Sequence, residues 1–403
     1  MVSVINFNGV IIVRFIVVLC LILCANSIGI SQSTVFQIDE WTQLSVSNIQ
    51  DLTPALEFSL ADMITQEPIQ QIDMIPHTTR LFLRGGAESN TQYWQIWDIN
   101  TRQMLLDAPI QTRFKNIMFS SFGKFMAIAT ENPSDNLITD ICLWDIELLT
   151  LLNCWEGDIY IEMLFTPDER LFLFPMDNTF VAWDTHDNAL SFQIPQSTLS
   201  NALSPNGEKL ALYDAVKGAI YIWDTKNTSL LSEYHDETRV IVSDITFDET
   251  SQYLFFMAVA IEPNIRELGI WDTLTNETRY IEKESFTGEF FSNIYGRIFL
   301  FRDNERRSLV TVMDVLTEDN YGILDLSTLH DYTLAQDIFI ARESSDTRLS
   351  WIVKNFETQE TLFILYENAD DSLLDVRFTQ DERFIIAYTE DGLVQLWGVR
   401  AEN

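Results

Sequence analysis

Three carboxylates, Glu162, Asp244 and Asp375, occupy the same place in three similar stretches, each three residues before a Phe in "EMLF", "DITF" and "DVRF". Asn116 and Ser200 hold the equivalent place in "NIMF" and "SNAL". Side-chain oxygens recurring in this way can converge on a hard cation such as Ca²⁺, which takes roughly six to eight oxygen ligands. The tight Asp-x-Asp-x-Asp spacing of a calcium loop does not accompany them, and a water-filled channel mouth would carry the same polar residues. For catalysis the chain offers four histidines, His77, His186, His235 and His330, scattered along its length. No Ser or Cys nucleophile stands beside any of them, and no glycine-rich phosphate loop is present. The residues read as those of a protein that is not an enzyme.

The elements that must position these residues are set by a repeat. "QIWDI", "CLWDI", "VAWDT", "YIWDT" and "GIWDT" place Trp-Asp pairs at Trp97, Trp144, Trp183, Trp223 and Trp271, with spacings of 47, 39, 40 and 48. The stride continues through Met313-Asp314, Lys354-Asn355 and Trp397-Gly398 at 42, 41 and 43. Before each marker come two apolar runs split by a turn signal, as in "IEMLFTPDERLFLFP" and "SNALSPNGEKLALYD"; after it come a polar turn and a fourth run. Such alternation predicts strand–turn–strand–turn–strand–turn–strand, and no segment has helical periodicity over ten residues.

A four-stranded sheet of this size cannot bury both faces alone, but sheets set around an axis bury one another. In "AIYIWD" both faces of the strand are apolar, as such burial requires, and the Asp falls where the strand ends, able to accept backbone N–H groups of the turn. Asn100, Asn188, Asn227 and Asn276 lie near these turns, where a left-handed backbone is needed. The five in-phase Trp-Asp pairs resemble those of WD-repeat (WD40-type) β-propellers over residues 54–403. That resemblance implies an all-β fold with a single propeller of eight four-stranded blades, seven being the alternative count. The Gly-His dipeptide of the family is absent, and only His235 in "EYHDETRV" falls where its histidine would be. Packing must then hold most blades.

Too few residues follow Trp397 for a fourth strand, which would leave an exposed edge. "PALEFSL" at 54–60 is the expected replacement, closing the ring with a strand from the N-terminal side; residues 31–53 read as a linker. Strand one of each repeat would line the channel, bringing Glu162, Asp244 and Asp375 toward it as the candidate Ca²⁺ ligands. Cys142 lies in a marker strand and Cys154 in the next. Folding that hairpin about Leu148 and Leu149 sets them opposite each other or one residue off, as a cross-strand disulfide or as two free thiols.

The loops between strands two and three and those leading into the next blade share one face. Trp155, Tyr160, Tyr234, Asp236, Phe286, Asp370 and Asp371 fall there, a mix of aromatic and acidic residues common at interface hot spots, although some of the aromatics will simply cap packing. The resemblance implies a non-catalytic interaction scaffold binding a protein or peptide across that face. The alternative is a carboxylate-lined, Ca²⁺-dependent hydrolase or sugar-binding propeller.

The chain of 403 residues has 25 Lys and Arg against 60 Asp and Glu, a net charge of −35. That balance opposes nucleic acid and anionic membrane surfaces, and suits solubility or a cationic partner. Residues 1–30 differ in kind: one basic residue, Arg14, precedes the unbroken apolar run Phe15–Cys24 and the small-x-small site "ANS". This is the layout of a signal peptide, or of an uncleaved membrane anchor. Either sends the remainder out of the cytoplasm: secreted, periplasmic or on the cell surface.

Overall fold

Each marker stands at the end of the third strand of an antiparallel sheet in the computed structural model. The structure describes residues 36–401 except 61–68, 87–91, 111–112, 133–138, 158–162, 177–178, 196–199, 263–264, 283–289, 293–297, 303–308, 318–319, 326–327, 334–337, 346–347, 357, 368–372 and 390–391. Apart from two single-turn 3-10 helices, Ile38–Glu40 and Ile49–Asp51, every regular element among the described residues is a strand. The sheets belong to the unit Ile38–Asn403; of the unit Met1–Gln37 only Phe36 and Gln37 are described, so the expected signal or anchor segment 1–30 lies outside the described residues. No helix among the described residues is long and apolar enough to cross a membrane.

Seven sheets have four strands and run in chain order: the first over residues 69–110, the second over 114–157, the third over 164–194, the fourth over 200–235, the fifth over 239–282, the sixth over 290–325 and the seventh over 329–366. In each, the four strands pair as neighbours in sequence. An eighth sheet takes Leu373–Phe378, Phe384–Thr389 and Leu393–Arg400 and adds Thr53–Ser59, which pairs with Leu393–Arg400 from Thr53 opposite Gly398 to Ser59 opposite Leu393. Trp41–Thr42 pairs with the last two residues of that same strand.

Residues 38–53 are therefore not the linker expected from sequence. Trp41, Leu44, Ile49 and Leu52 are buried, Leu44 donates its N–H to the Glu382 carbonyl, and the last three join the core between the seventh and eighth sheets. The ring of Trp41 also explains the eroded marker Trp397-Gly398. A Cβ at Gly398 would lie 2.7 Å from the Trp41 ring and 2.9 Å from Phe384, so Asp cannot stand there.

The second strand of each well-described sheet is the apolar centre. In Phe125–Glu131, Phe125, Ala127 and Ala129 face the third sheet while Met126 and Ile128 face the first. In the next sheet, Leu171 and Leu173 pack toward the fourth sheet, and Phe172 and Phe174 toward the second. Period-two alternation sends successive side chains to opposite faces, so a strand buried on both sides reads as an unbroken apolar run. Cores of this kind join the first sheet to the second, second to third, third to fourth, fourth to fifth, and seventh to eighth. Each buried Phe or Leu contributes about 1.5–3 kcal/mol.

The Trp-Asp-Thr motif now has a role for each residue. Tryptophan turns toward the preceding sheet: Trp144 meets Trp94 edge-on at 5.1 Å and Trp183 meets Trp155 at 4.9 Å. Aspartate caps the following turn. Asp184 accepts the N–H groups of His186 and Asp187, Asp224 those of Lys226 and Asn227, Asp272 those of Leu274 and Thr275, and Asp314 those of Leu316 and Thr317. Asn355 does the same for Thr358 in the eroded seventh repeat. Threonine then ties this turn to the turn between strands one and two: Thr185 donates to the Glu169 carbonyl at 2.6 Å, Thr225 to Gly207 at 2.7 Å and Thr273 to Gln252 at 2.8 Å. Where Ile99 or Ile146 replaces the Thr, the side chain is buried instead.

Turns between strands one and two are also capped in register. Ser120, Thr166, Ser204, Asp248 and Thr379 each accept the backbone N–H five residues on, from Phe125, Leu171, Lys209, Tyr253 and Phe384. Polar capping thus supplements the packing that the sequence alone suggested. Left-handed backbone falls five residues after the marker in six repeats, at Arg102, Leu149, Asn188, Thr228, Asn276 and Gln359. Asn188 and Asn276 meet the expectation, whereas Asn100 and Asn227 do not. Turn length fixes the position, and a non-Gly residue accepts the modest cost where no Asn stands there.

Cys142 and Cys154 sit opposite each other in the second sheet and are joined in a disulfide, Cα–Cα 4.1 Å.

Hydrogen bonds from Asn227 and Lys226 hold the Asp224 carboxyl below its ordinary value; at Asp272 burial pushes upward but bonds from Leu274, Gln252 and Thr275 outweigh it. Replacing Asp272 by Ala is expected to lower unfolding free energy by about 1–3 kcal/mol in urea titration. Asp272→Asn, which keeps an acceptor, should lose less. Equal stability of Asp272→Ala and wild type would show that the cap does not hold the turn.

Candidate functional site

The two ends of the sheets differ. At the turn end, strand one is separated from strand two by the same interval in sheet after sheet: Phe119 to Phe125, Phe165 to Leu171, Leu203 to Lys209, Phe247 to Tyr253 and Phe378 to Phe384. These turns also touch one another. The Glu169 carboxylate accepts the Ser120 hydroxyl and the Phe122 N–H, both at 2.5 Å, and Asp381 accepts the His77 N–H at 3.1 Å. At the other end, the connection from strand two to three is short from Met176 to Thr179, longer from Ala260 to Arg266, and longest from Glu131 to Thr139. Connections that vary in length on a fixed frame are where binding residues gather.

Of the candidate partner residues, Tyr160, Phe286, Asp370 and Asp371 lie outside the described residues. Trp155 and Tyr234 are at the variable end but turn inward. The Trp155 ring packs against Phe174 at 4.8 Å and Trp183 at 4.9 Å, and buried Tyr234 packs against Phe256 at 4.9 Å and Trp271 at 5.7 Å. Both cap the packing between neighbouring sheets, the second of the two roles open to them from sequence.

Asp236 belongs to a compact charged group. Arg239 lies over the Tyr280 ring at 3.7 Å, its Nε is 2.6 Å from Glu267 Oε2, and its Nη1 is 3.0 Å from Asp236 Oδ2. Tyr280 donates to Asp236 at 3.1 Å and its hydroxyl meets that of Tyr234. Burial raises the Asp236 carboxyl, but hydrogen bonds from Thr238, Tyr280 and Arg239 outweigh it and hold it down at about 2. Burial likewise pushes the Tyr234 phenol up to about 12. His235 is exposed, with Nδ1 3.2 Å from the Gly218 carbonyl.

On the first strands, Glu162 and the side chain of Asp244 lie outside the described residues. Asp375 does not stand free. Its Oδ1 is 2.7 Å from His330 Nε2 and accepts the Val376 N–H at 3.0 Å, and its Oδ2 is 3.2 Å from Arg377 Nη2. Arg377 Nη1 reaches Asp73 of the first sheet at 3.2 Å, and Tyr388 donates to Asp375 at 3.3 Å. His330 stands edge-on to buried Trp351 at 4.5 Å. Burial pushes the Asp375 carboxyl up, but His330 and Arg377 outweigh it and the net shift is downward.

At Asn116, Ser200 and Asp375 the polar residue at this place has a local use. The register shifts at Asn116 and at Asp375, marking a β-bulge, and in both cases the side-chain oxygen accepts the next N–H. A bulge leaves a backbone group unpaired, and a short acceptor satisfies it. Ser200 instead accepts the Ile245 N–H of the next sheet at 3.2 Å. Among the described residues no three His, Cys, Asp or Glu side chains come together as a metal site would need.

Arg239, Glu267, Tyr280, Arg377 and Asp73 were not singled out from sequence, and His330 stood there only as one of four scattered histidines. The available signal was scarcity: in so acidic a chain, an Arg inside an apolar strand, as in "DVRF" and "TRVIV", has to be paired. No protein-family model matches the chain, and no curated protein matches it.

Arg377→Met is expected to leave Asp73 and Asp375 facing each other and to cost about 3 kcal/mol in urea unfolding. The double variant Asp73→Asn with Arg377→Met should cost clearly less, and an additive result would show that the seam is not electrostatically coupled. At Asp236 the folded value lies below the unfolded value of about 3.9, so its contribution is present above roughly pH 4 and lost as pH falls toward 2. Asp236→Asn should therefore flatten the loss of stability between roughly pH 4 and 2, measured by urea titration at each pH.

Proposed function

We propose that residues 38–403 form a WD-repeat-type β-propeller of eight blades, the last sealed by Thr53–Ser59, serving as a non-catalytic scaffold that binds a protein or peptide at its variable end. Shared cores linking consecutive sheets support the ring, as do the bonds returning from the eighth sheet to the first: Arg377 to Asp73, Tyr388 to the Gln70 carbonyl, and His77 to Asp381. The Cys142–Cys154 disulfide supports an exported location, because such bonds persist in oxidising compartments. The observation that carries the binding role is the contrast between turns of nearly constant length that interlock at one end and connections of widely unequal length at the other.

A rigid ring of this kind offers a pre-organised surface, which lowers the ordering cost of binding. Long, unequal connections on it diversify that surface without disturbing the frame. The test is affinity capture with the purified protein in an extract of its source cells, with bound proteins identified by mass spectrometry. Shortening the connection 132–138 or 261–265 to a Gly-Ser turn should remove a specific partner, whereas Leu148→Ser and Leu274→Ser at the turn end should retain it. The reverse pattern, or capture indifferent to both sets, overturns the assignment of the binding face.

A further inference from the structure

We infer that the variable end of the fourth and fifth sheets is a docking surface for a basic, apolar-studded segment of a partner protein. The inference rests on the reading of that end as the partner face and names the partner's chemistry. Three aliphatic side chains stand exposed there: Val216 at 89%, Ile261 at 55% and Val240 at 51%. Val216 lies between strands two and three of the fourth sheet, Ile261 in the corresponding connection of the fifth, and Val240 at the start of the fifth sheet's first strand.

Hydrogen bonds brace the exposed segment of each of the two sheets. His235 Nδ1 sits 3.2 Å from the Gly218 carbonyl, and the Ile261 N–H reaches the Thr238 carbonyl at 2.9 Å. Beneath them the two sheets share a core, and Tyr213 of the fourth donates to the Ile241 carbonyl of the fifth at 2.8 Å. The platform is therefore fixed rather than adaptable. Exposed aliphatic residues scattered singly are ordinary, but these three stand at the same end of two neighbouring sheets that share a core.

Charge selects the occupant. Three cations stand nearby: Lys217 lies 3.4 Å from Asp214, Arg239 is held by Glu267 and Asp236, and exposed Arg266 opens the fifth sheet's third strand, so that carboxylates still outnumber cations here. Glu233, Glu237 and Glu262 are exposed at this end, and none has an ion pair among the described residues. A field of this sign draws in Lys and Arg and repels nucleic acid and anionic lipid. A segment alternating basic and aliphatic residues satisfies both features: its cations face the carboxylates while its aliphatic groups cover Val216, Val240 and Ile261.

Two fluorescent synthetic peptides, one of alternating Lys and Leu and one of alternating Lys and Ser, separate this surface from general attraction of a polycation to an acidic protein. Anisotropy titration at about 0.15 M salt should show the Lys/Leu peptide binding the whole protein about tenfold more tightly than the Lys/Ser peptide. Val216→Ser with Ile261→Ser should abolish that difference, whereas Leu148→Ser with Leu274→Ser, equally exposed at the turn end, should leave it intact. Glu237→Lys with Glu262→Lys should weaken both peptides. Equal binding of the two peptides to wild type, or equal loss from both pairs of Ser variants, overturns the inference. If shortened connections abolish partner capture while Val216→Ser with Ile261→Ser has no effect on it, the binding face stands and this surface on it fails.

Discussion

Everything in this fold depends on small sheets with two apolar faces, neither of which can be left in water. Phe172 and Phe174 point one way from their strand and Leu171 and Leu173 the other, and all four are buried against different neighbours. No sheet is stable by itself, and each finds its second partner only because the next repeat follows at nearly the same interval. The apolar second strand is thus the source of the repeat's regularity, and the polar capping at the turn end follows from it. Sheets that must press face to face need turns of equal length, so that neighbouring turns meet without collision.

The capped turns show how backbone satisfaction and tertiary packing are met by the same residues. Aspartate at the end of the third strand satisfies N–H groups left over by the reversal, and threonine after it fastens that reversal to the turn beside it. Where the second role is filled by Ile99 or Ile146, apolar burial substitutes for a hydroxyl bond. The charged groups at Arg239 and Arg377 follow a related logic. Each guanidinium binds two carboxylates from separate segments, so in a chain rich in acid these two cations tie segments together.

Much of this architecture was legible in the residues, because Trp-Asp recurs in register and a strand buried on both faces leaves an apolar run. The pairing of Thr53–Ser59 with Leu393–Arg400 could be anticipated from a missing fourth strand. Other features could not. Trp41, Leu44, Ile49 and Leu52 follow neither a period of two nor one of 3.6, so their burial appears only once the surface they cover exists. The left-handed positions at Arg102, Leu149 and Thr228 are fixed by turn length against the preference of the residue. Asp375 resembled a ligand in sequence because a bulge, which gives its oxygen a backbone N–H to accept, leaves no trace in the pattern of residue types.

The eighth sheet takes strands that lie far apart in sequence, and this sets an order on the birth of the molecule. On a ribosome Thr53–Ser59 emerges long before its hydrogen-bonding partner, Leu393–Arg400. Phe58, buried in the finished protein, has no mate until Leu393–Arg400 has been made. Earlier sheets can stack as they appear, but the final seam is a long-range contact that must wait, and such contacts form slowly and leave sticky edges open meanwhile. A truncated chain lacking its last strand would be left with an apolar edge, the kind of defect that quality-control proteases recognise.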